Sequence, residues 1–223
     1  MAGGRPLSDT VAMPSETPWL LYTNPLSGNC WKAMQILSLT GTPYRTEEVS
    51  VFGDRDRDRA GSPVGEHVAG RIPLLVGPDG TRLAESNAIL LWFAEGTQWL
   101  PGDRLARHRV LEWLFFEQSQ HLPGVATARY FLHVAKTHAP DDPMVAAFRA
   151  RGAAALARMQ KHLAGGADWF GPHGFSVADI ALYPYTRMAH HAAFDVAADH
   201  PAVDAWLRRV EAQPGHLPLE RPD

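Results

Sequence analysis

The chain has a single cysteine, Cys30, among 223 residues. That excludes an intrachain disulfide, a Cys-x-x-Cys redox pair and a cysteine-rich zinc site. Thiol chemistry beyond Cys30 has to use a thiol carried in by a ligand. Long apolar runs are also missing: the longest, residues 88–94, is far short of the roughly 20 residues that cross a bilayer. Residues 1–18 lack the hydrophobic centre of a secretory signal, so the expectation is a cytoplasmic protein with a loose tail over residues 1–17. Neither sign of charge dominates. Lys and Arg number 21 against 24 Asp and Glu, a net charge of −3, and the basic residues form no stripe, so nucleic acid is not an expected partner and neither is a membrane. The 11 histidines show no His-Glu-x-x-His or related ligand spacing, and no metal is expected. Asp54, Asp56 and Asp58 imitate the start of a calcium loop, but Arg59 stands where glycine is required and Gly65 where the closing glutamate belongs. That segment reads as solvated or internally paired.

What is present is a globular composition, 45% hydrophobic and 20% charged, with chain enough for two compact halves. Strands are expected over residues 19–23, 44–51, 72–76 and 81–84, the last two joined by the hairpin chemistry of Gly77-Pro78-Asp79-Gly80. Between the first two, Cys30, Ala33, Met34 and Leu37 mark one face of a helix at the 3.6-residue period. A helix from residue 86 to about 94 meets Gly96 and Pro101-Gly102-Asp103, the best boundary on composition. Beyond it everything reads helical: residues 105–120, residues 124–136, a segment traced by Met144, Val145, Phe148, Leu156, Met159 and Leu163, and a last one with Val203, Trp206, Leu207 and Val210 at i, i+3, i+4, i+7. Between these two, Phe175-Ser176-Val177-Ala178-Asp179-Ile180 carries both a capping box and a hydrophobic staple.

The densest stretch is Tyr22-Thr23-Asn24-Pro25-Leu26-Ser27-Gly28-Asn29-Cys30-Trp31-Lys32, an apolar strand running through a polar turn into the first helix. Ser27 is thereby placed at a helix N-terminus, where unpaired N–H groups and the positive pole of the dipole stabilise an anion, a thiolate included. Ser27 can be a plain N-cap or a hydroxyl that serves such an anion, and Asn29 an ordinary helix-start residue or a second donor. Cys30 can be a thiol of depressed pKa, but its place on the apolar face favours a buried core thiol. Tyr22 sits earlier in the strand and ranks behind Ser27.

This strand, Ser-x-Asn turn and helix, followed by Gly70-Arg71-Ile72-Pro73 and then Glu85-Ser86-Asn87-Ala88-Ile89, resembles the N-terminal half of the cytosolic glutathione S-transferases. The turn is most similar to bacterial members with Ser-Gly-Asn-Cys-x-Lys, and the family's similar capping box extends the resemblance over nearly the whole chain. It implies an α/β plus all-α architecture: a thioredoxin-like glutathione-binding domain over residues 18–95, a linker over 96–102 and an all-helical domain over 103–223, assembled as a homodimer. It implies glutathione as co-substrate, with Ser27 and Asn29 at its sulfur and Ile72 pairing with its backbone through a cis bond to Pro73. Glu85 would receive the γ-glutamyl ammonium and Ser86, with helix N–H groups, its α-carboxylate; the competing reading makes Glu85-Ser86 a capping pair. Arg71 is the nearest cation for the glycyl carboxylate. The family usually has Asn-Pro shortly before this Ile-Pro unit, where the present chain has His67-Val68-Ala69. The activity implied is attack of the glutathione thiolate on a small hydrophobic electrophile, as in detoxification. Its alternatives are glutathione-dependent disulfide or peroxide reduction, and a binding protein that keeps the fold without turnover.

Overall fold

The computed structural model describes residues 17–50, 61–67 and 70–219; the acidic-basic segment at 54–59 lies outside them. Strand β1 (Trp19–Thr23), helix α1 (Gly28–Leu39) and strand β2 (Tyr44–Glu48) form the start of a mixed sheet, with β1 and β2 parallel. A single turn, α2 (Pro63–Glu66), precedes the antiparallel pair β3 (Leu74–Val76) and β4 (Arg82–Ala84), and helix α3 (Ser86–Ala94) follows. The sheet order is β2-β1-β3-β4. Alternation along the strands divides the side chains between its faces. Leu21 and Leu75 join Ile36 of α1 and Ile89 of α3 in the main core, while Tyr22 and Leu74 close on Val64 of α2 behind the sheet.

The strands are shorter than the alternation predicts. β2 is an edge strand, largely exposed, and its pairing as a strand ends at Glu48. β3 starts at Leu74 instead of Ile72 because Pro73 brings no N–H to the ladder. The hairpin after it closes as expected: the Gly77 N–H donates to Thr81 O at 2.7 Å, and the Asp79 carboxylate accepts from the Thr81 N–H at 2.9 Å and its hydroxyl at 2.8 Å.

The helical half begins with α4 (Arg104–Phe116) and continues without a break through a π-turn (Glu117–His121) into α5 (Leu122–Arg129) and a second π-turn (Tyr130–Val134). Two separate helices were expected here. Pro123 explains the π-turn that joins them, since it lacks the N–H that Ser119 O would receive; that carbonyl is met by Arg151 Nη2 at 3.4 Å. Helix α6 (Pro143–Ala164) crosses α5 so closely that a Cβ on Gly124 would lie 2.3 Å from Gly152 N. Helix α7 (Val177–Arg187) opens on the predicted capping box. Ser176 Oγ accepts the Ala178 N–H at 3.2 Å, and Asp179 Oδ2 accepts the Ser176 N–H at 2.9 Å. Asp179 Oδ1 also receives the Phe170 N–H and Trp206 Nε1, each at 3.0 Å. A 3₁₀ turn (Ala189–Ala192), the single turn α8 (Val196–Asp199) and α9 (Pro201–Glu211) complete the chain's described elements.

The two halves share one core: Leu21, Ile36 and Ile89 belong to the same cluster as Val110, Leu156, Ile180 and Trp206. The C-terminal segment returns to α1, where Trp31 Nε1 donates to Leu217 O at 2.9 Å and Gln35 bonds Gly215 O and the Leu217 N–H. Among the described residues no helix is long and apolar enough to cross a membrane.

Candidate active site

The turn before α1 is held by its own side chains. Asn24 Oδ1 accepts the Leu26 N–H at 3.0 Å, Asn24 Nδ2 reaches Val49 O at 2.9 Å, and the Ser27 N–H returns to Asn24 O at 3.0 Å. Ser27 is the N-cap of α1 in extended backbone, its Oγ accepting the Cys30 N–H at 3.3 Å. The capping geometry leaves the hydroxyl hydrogen available to a second partner. Cys30 is buried, as its place on the apolar face required, and Tyr22 is buried behind the sheet.

Glu85 is the N-cap of α3, but its side chain makes no capping bond and its backbone stands at φ 65°. The capping-pair reading therefore fails for Glu85. A non-glycine residue held there costs on the order of 1–3 kcal/mol, the kind of strain that collects at ligand clamps. Glu85 is exposed and Ser86 buried. Ser86 Oγ donates to Asn29 Oδ1 at 3.3 Å, which brings Asn29 of α1 and the start of α3 together. The Ile72–Pro73 bond is cis. Because Leu74 pairs with Ala84 in the hairpin, Ile72-Pro73 and Glu85-Ser86 stand at the same end of the sheet. Arg71 lies exposed on the turn just before them.

Several neighbours of this site were given no role by the sequence, although Lys32 closes the Ser-Gly-Asn-Cys-x-Lys turn. Lys32, one turn into α1, is fully buried with Glu117 of the first π-turn, Nζ to Oε1 at 2.8 Å, and also bonds Asn87 Oδ1 at 3.3 Å. Asn87 Nδ2 returns to Glu117 Oε2 at 3.0 Å, so the residue after Ser86 is tied to both ions. Burial holds the Lys32 ammonium below the usual lysine range, with Glu117 opposing that shift. Next to it, fully buried His121 shares a 2.9 Å bond with Thr186 Oγ1, and burial followed by the Lys32 charge brings its pKa down to about 3.

From the other side, Arg129 at the end of α5 is nearly fully buried and donates Nη1 to Leu26 O at 3.0 Å, one residue before Ser27. Its Nε donates to His191 Nδ1 at 3.3 Å, and His191 stacks on His133 with centroids 3.6 Å apart. Burial, then the charges of His190, His133 and Arg129, bring His191 to about 4. A sequence pattern cannot announce these partners, because residues 85 and 103 apart meet only once the halves pack. Chemically, the site offers a hydroxyl at a helix N-terminus, a buried guanidinium beside it, and a carboxylate and hydroxyl at a second helix N-terminus.

The family model for the N-terminal domain of glutathione S-transferase matches residues 26–95, and that for the C-terminal domain matches residues 142–209. Among solved structures, a glutathione S-transferase from Xanthobacter autotrophicus Py2 is 47% identical with a TM-score of 0.82, over 89% of this chain and 95% of that one. One from Pseudomonas fluorescens Pf-5 is 36% identical, TM-score 0.81, over 91% and 99%. A glutathione transferase from Pseudomonas putida, solved with one glutathione disulfide per subunit, is 27% identical, TM-score 0.74, over 89% and 88%. No curated protein sequence matches the chain. Fold, shared core and these likenesses agree: the chain belongs to the glutathione S-transferase family.

Proposed function

We propose that this protein is a cytoplasmic glutathione transferase in which residues 18–95 bind glutathione and the helical residues 103–223, after a linker at 96–102, border the electrophile. The observation that carries the reading is the meeting of two helix N-termini through the Ser86–Asn29 bond, with Ser27 at one and Glu85 at the other. Glu85 receives the γ-glutamyl ammonium, and Ser86 with the α3 N–H groups its carboxylate. Ile72 pairs with the tripeptide backbone beside Pro73, and Arg71 takes the glycyl carboxylate. Ser27 donates to the sulfur, Asn29 stands next to it, and the thiol ionises more readily as a result. Thiolate formation and positioning are then the enzyme's contribution to rate. No resident metal enters the scheme.

A homodimer is part of the proposal, supported by the exposed Trp92 of α3 and Phe115 of α4, 60% and 72% accessible in the single chain. Reduction of a glutathione-containing disulfide is the second reading, favoured by the disulfide bound to the Pseudomonas putida relative. Titration calorimetry with glutathione, on the wild type and on Glu85→Ala and Ser86→Ala, tests the site. Binding that weakens at least tenfold in both variants, about 1.4 kcal/mol each, supports it. An absence of wild-type binding overturns both enzymatic readings. Conjugation of aromatic halides against reduction of glutathione disulfides then separates the two.

A further inference from the structure

The peptide unit joining Leu26 to Ser27 leads the chain into α1, and it is gripped at both ends. Its N–H, on Ser27, donates to Asn24 O at 3.0 Å within the turn. Its carbonyl, on Leu26, accepts Nη1 of Arg129 at 3.0 Å from the end of α5. Because the unit is planar, those two bonds fix its rotation and with it the direction in which the Ser27 side chain leaves the backbone. Arg129 is nearly fully buried, and a buried guanidinium is tolerated only where its donors are met. Its Nε donates to His191 Nδ1 at 3.3 Å. An imidazole accepts there only while neutral, with its proton on Nε2. The His191 ring is itself clasped, stacked on His133 with centroids 3.6 Å apart and 9° between planes, and with the His190 ring 4.0 Å away.

Resting on the reading of Ser27 as the residue beside the glutathione thiol, we infer that Arg129 is a positioning residue for turnover: it sets the Leu26–Ser27 peptide from the helical half, and His191, accepting through Nδ1, holds it in place. Ser27 is then aimed by both halves, by Asn24 from one and Arg129 from the other. The arrangement needs an uncharged His191. The groups acting on that ring are His190 of its own turn, His133 of the second π-turn, Arg129 of α5 and Arg187 of α7, every one of them basic. Burial first, and then these charges, bring it down to about 4, so the grip persists through neutral pH. A proton added at Nδ1 takes the acceptor away and sets two like charges side by side. No covalent step is assigned to either residue.

Arg129→Met, which keeps the stem and removes the donors, is compared with the wild type in kcat at saturating glutathione, in glutathione affinity by calorimetry, and in hydrogen exchange of the Leu26 and Ser27 amides. The kcat is expected to fall about tenfold, the size of one hydrogen bond to a charged group, and affinity to change by less than about twofold. Exchange is expected to quicken at those two amides while α6 and α9 keep their protection. His191→Leu, at a half-buried position, is expected to reproduce this, and His191→Asn, whose Oδ1 restores an acceptor, to recover most of the lost kcat. In the wild type itself, the nitrogen magnetic resonance of the His191 ring is expected to show a bare Nδ1 at neutral pH; a proton there overturns the inference without any variant. Unchanged kcat and exchange in either folded variant overturn the role of Arg129 and leave the reading of Ser27 standing. A loss shared equally by kcat, affinity and protection throughout the chain marks general loosening and overturns it too. A wild type that turns over no glutathione, or a Ser27→Ala variant with full turnover, overturns both.

Discussion

Glu85 and Ser27 do different work at equivalent places, each being the N-cap of its helix. Ser27 satisfies an N–H of its own helix, whereas Glu85 spends its carboxylate on none and holds a left-handed backbone. Replacing Glu85 with glycine removes that backbone strain and is expected to raise stability by about 0.5–1 kcal/mol while weakening glutathione binding. Paired melting and calorimetry check this, and movement of both in the same direction would refute it. Ser27→Ala is expected to leave glutathione affinity nearly intact and to lower turnover at saturating glutathione; unchanged turnover removes Ser27 from the thiol role. Gly28 shows how much of this was legible. Its neighbours Ser27 and Asn29 could be nominated from the turn, but the reason for glycine lies on α7 and just after it, where Pro184, Tyr185 and Met188 would meet a Cβ at 3.0, 3.1 and 3.1 Å.

Between α1, α3 and the π-turn after α4, the buried Lys32–Glu117 pair with Asn87 ties three elements of both halves. Removing one ion strands the other away from water, which is expected to cost about 3–5 kcal/mol, whereas replacing both with apolar residues is expected to be far milder. Denaturant unfolding of Lys32→Met, Glu117→Leu and the double variant reads this directly; additive losses would show that the pair is not a unit. The α5–α6 crossing makes a second prediction at this scale. Gly124→Ala drives a methyl group into the Gly152 backbone at 2.3 Å and is expected to destabilise by at least 1–3 kcal/mol, while Gly102→Ala, with open space around it, stays near neutral. The helical period correctly marked α6 and α9, and the capping box marked the start of α7. It did not reveal that α4 and α5 run on through a π-turn, because the proline that demands it looks, in sequence, like a break.

For the molecule as a whole, burial of neutral His121 links stability to pH. Its pKa is about 3 in the folded chain against 6.5 for an unburied imidazole. Between those values the unfolded chain binds a proton that the folded chain refuses, so stability present above pH 6.5 is lost as the pH falls toward 3. The slope from this group approaches about 1.4 kcal/mol per pH unit. His121→Gln, which keeps a polar partner for Thr186, is expected to flatten the dependence of the unfolding free energy on pH across that window. An unchanged slope would assign the acid sensitivity elsewhere.

Local rules suffice for much of this protein. The order of the main strands and helices, the capping box at Ser176 and Asp179, and the hairpin at Gly77 to Gly80 all follow from patterns within about a dozen residues, because caps, turns and amphipathic faces are short-range physics. The proposed site's outline was readable for the same reason, since Ser27, Asn29, Ile72, Pro73, Glu85 and Ser86 sit where elements begin. What only the tertiary structure decided is the company these residues keep: Lys32 with Glu117, Arg129 on Leu26, and Tyr185 against Gly28. Those contacts form between residues far apart in the chain and depend on desolvation when the two halves share one core, a quantity no local pattern encodes.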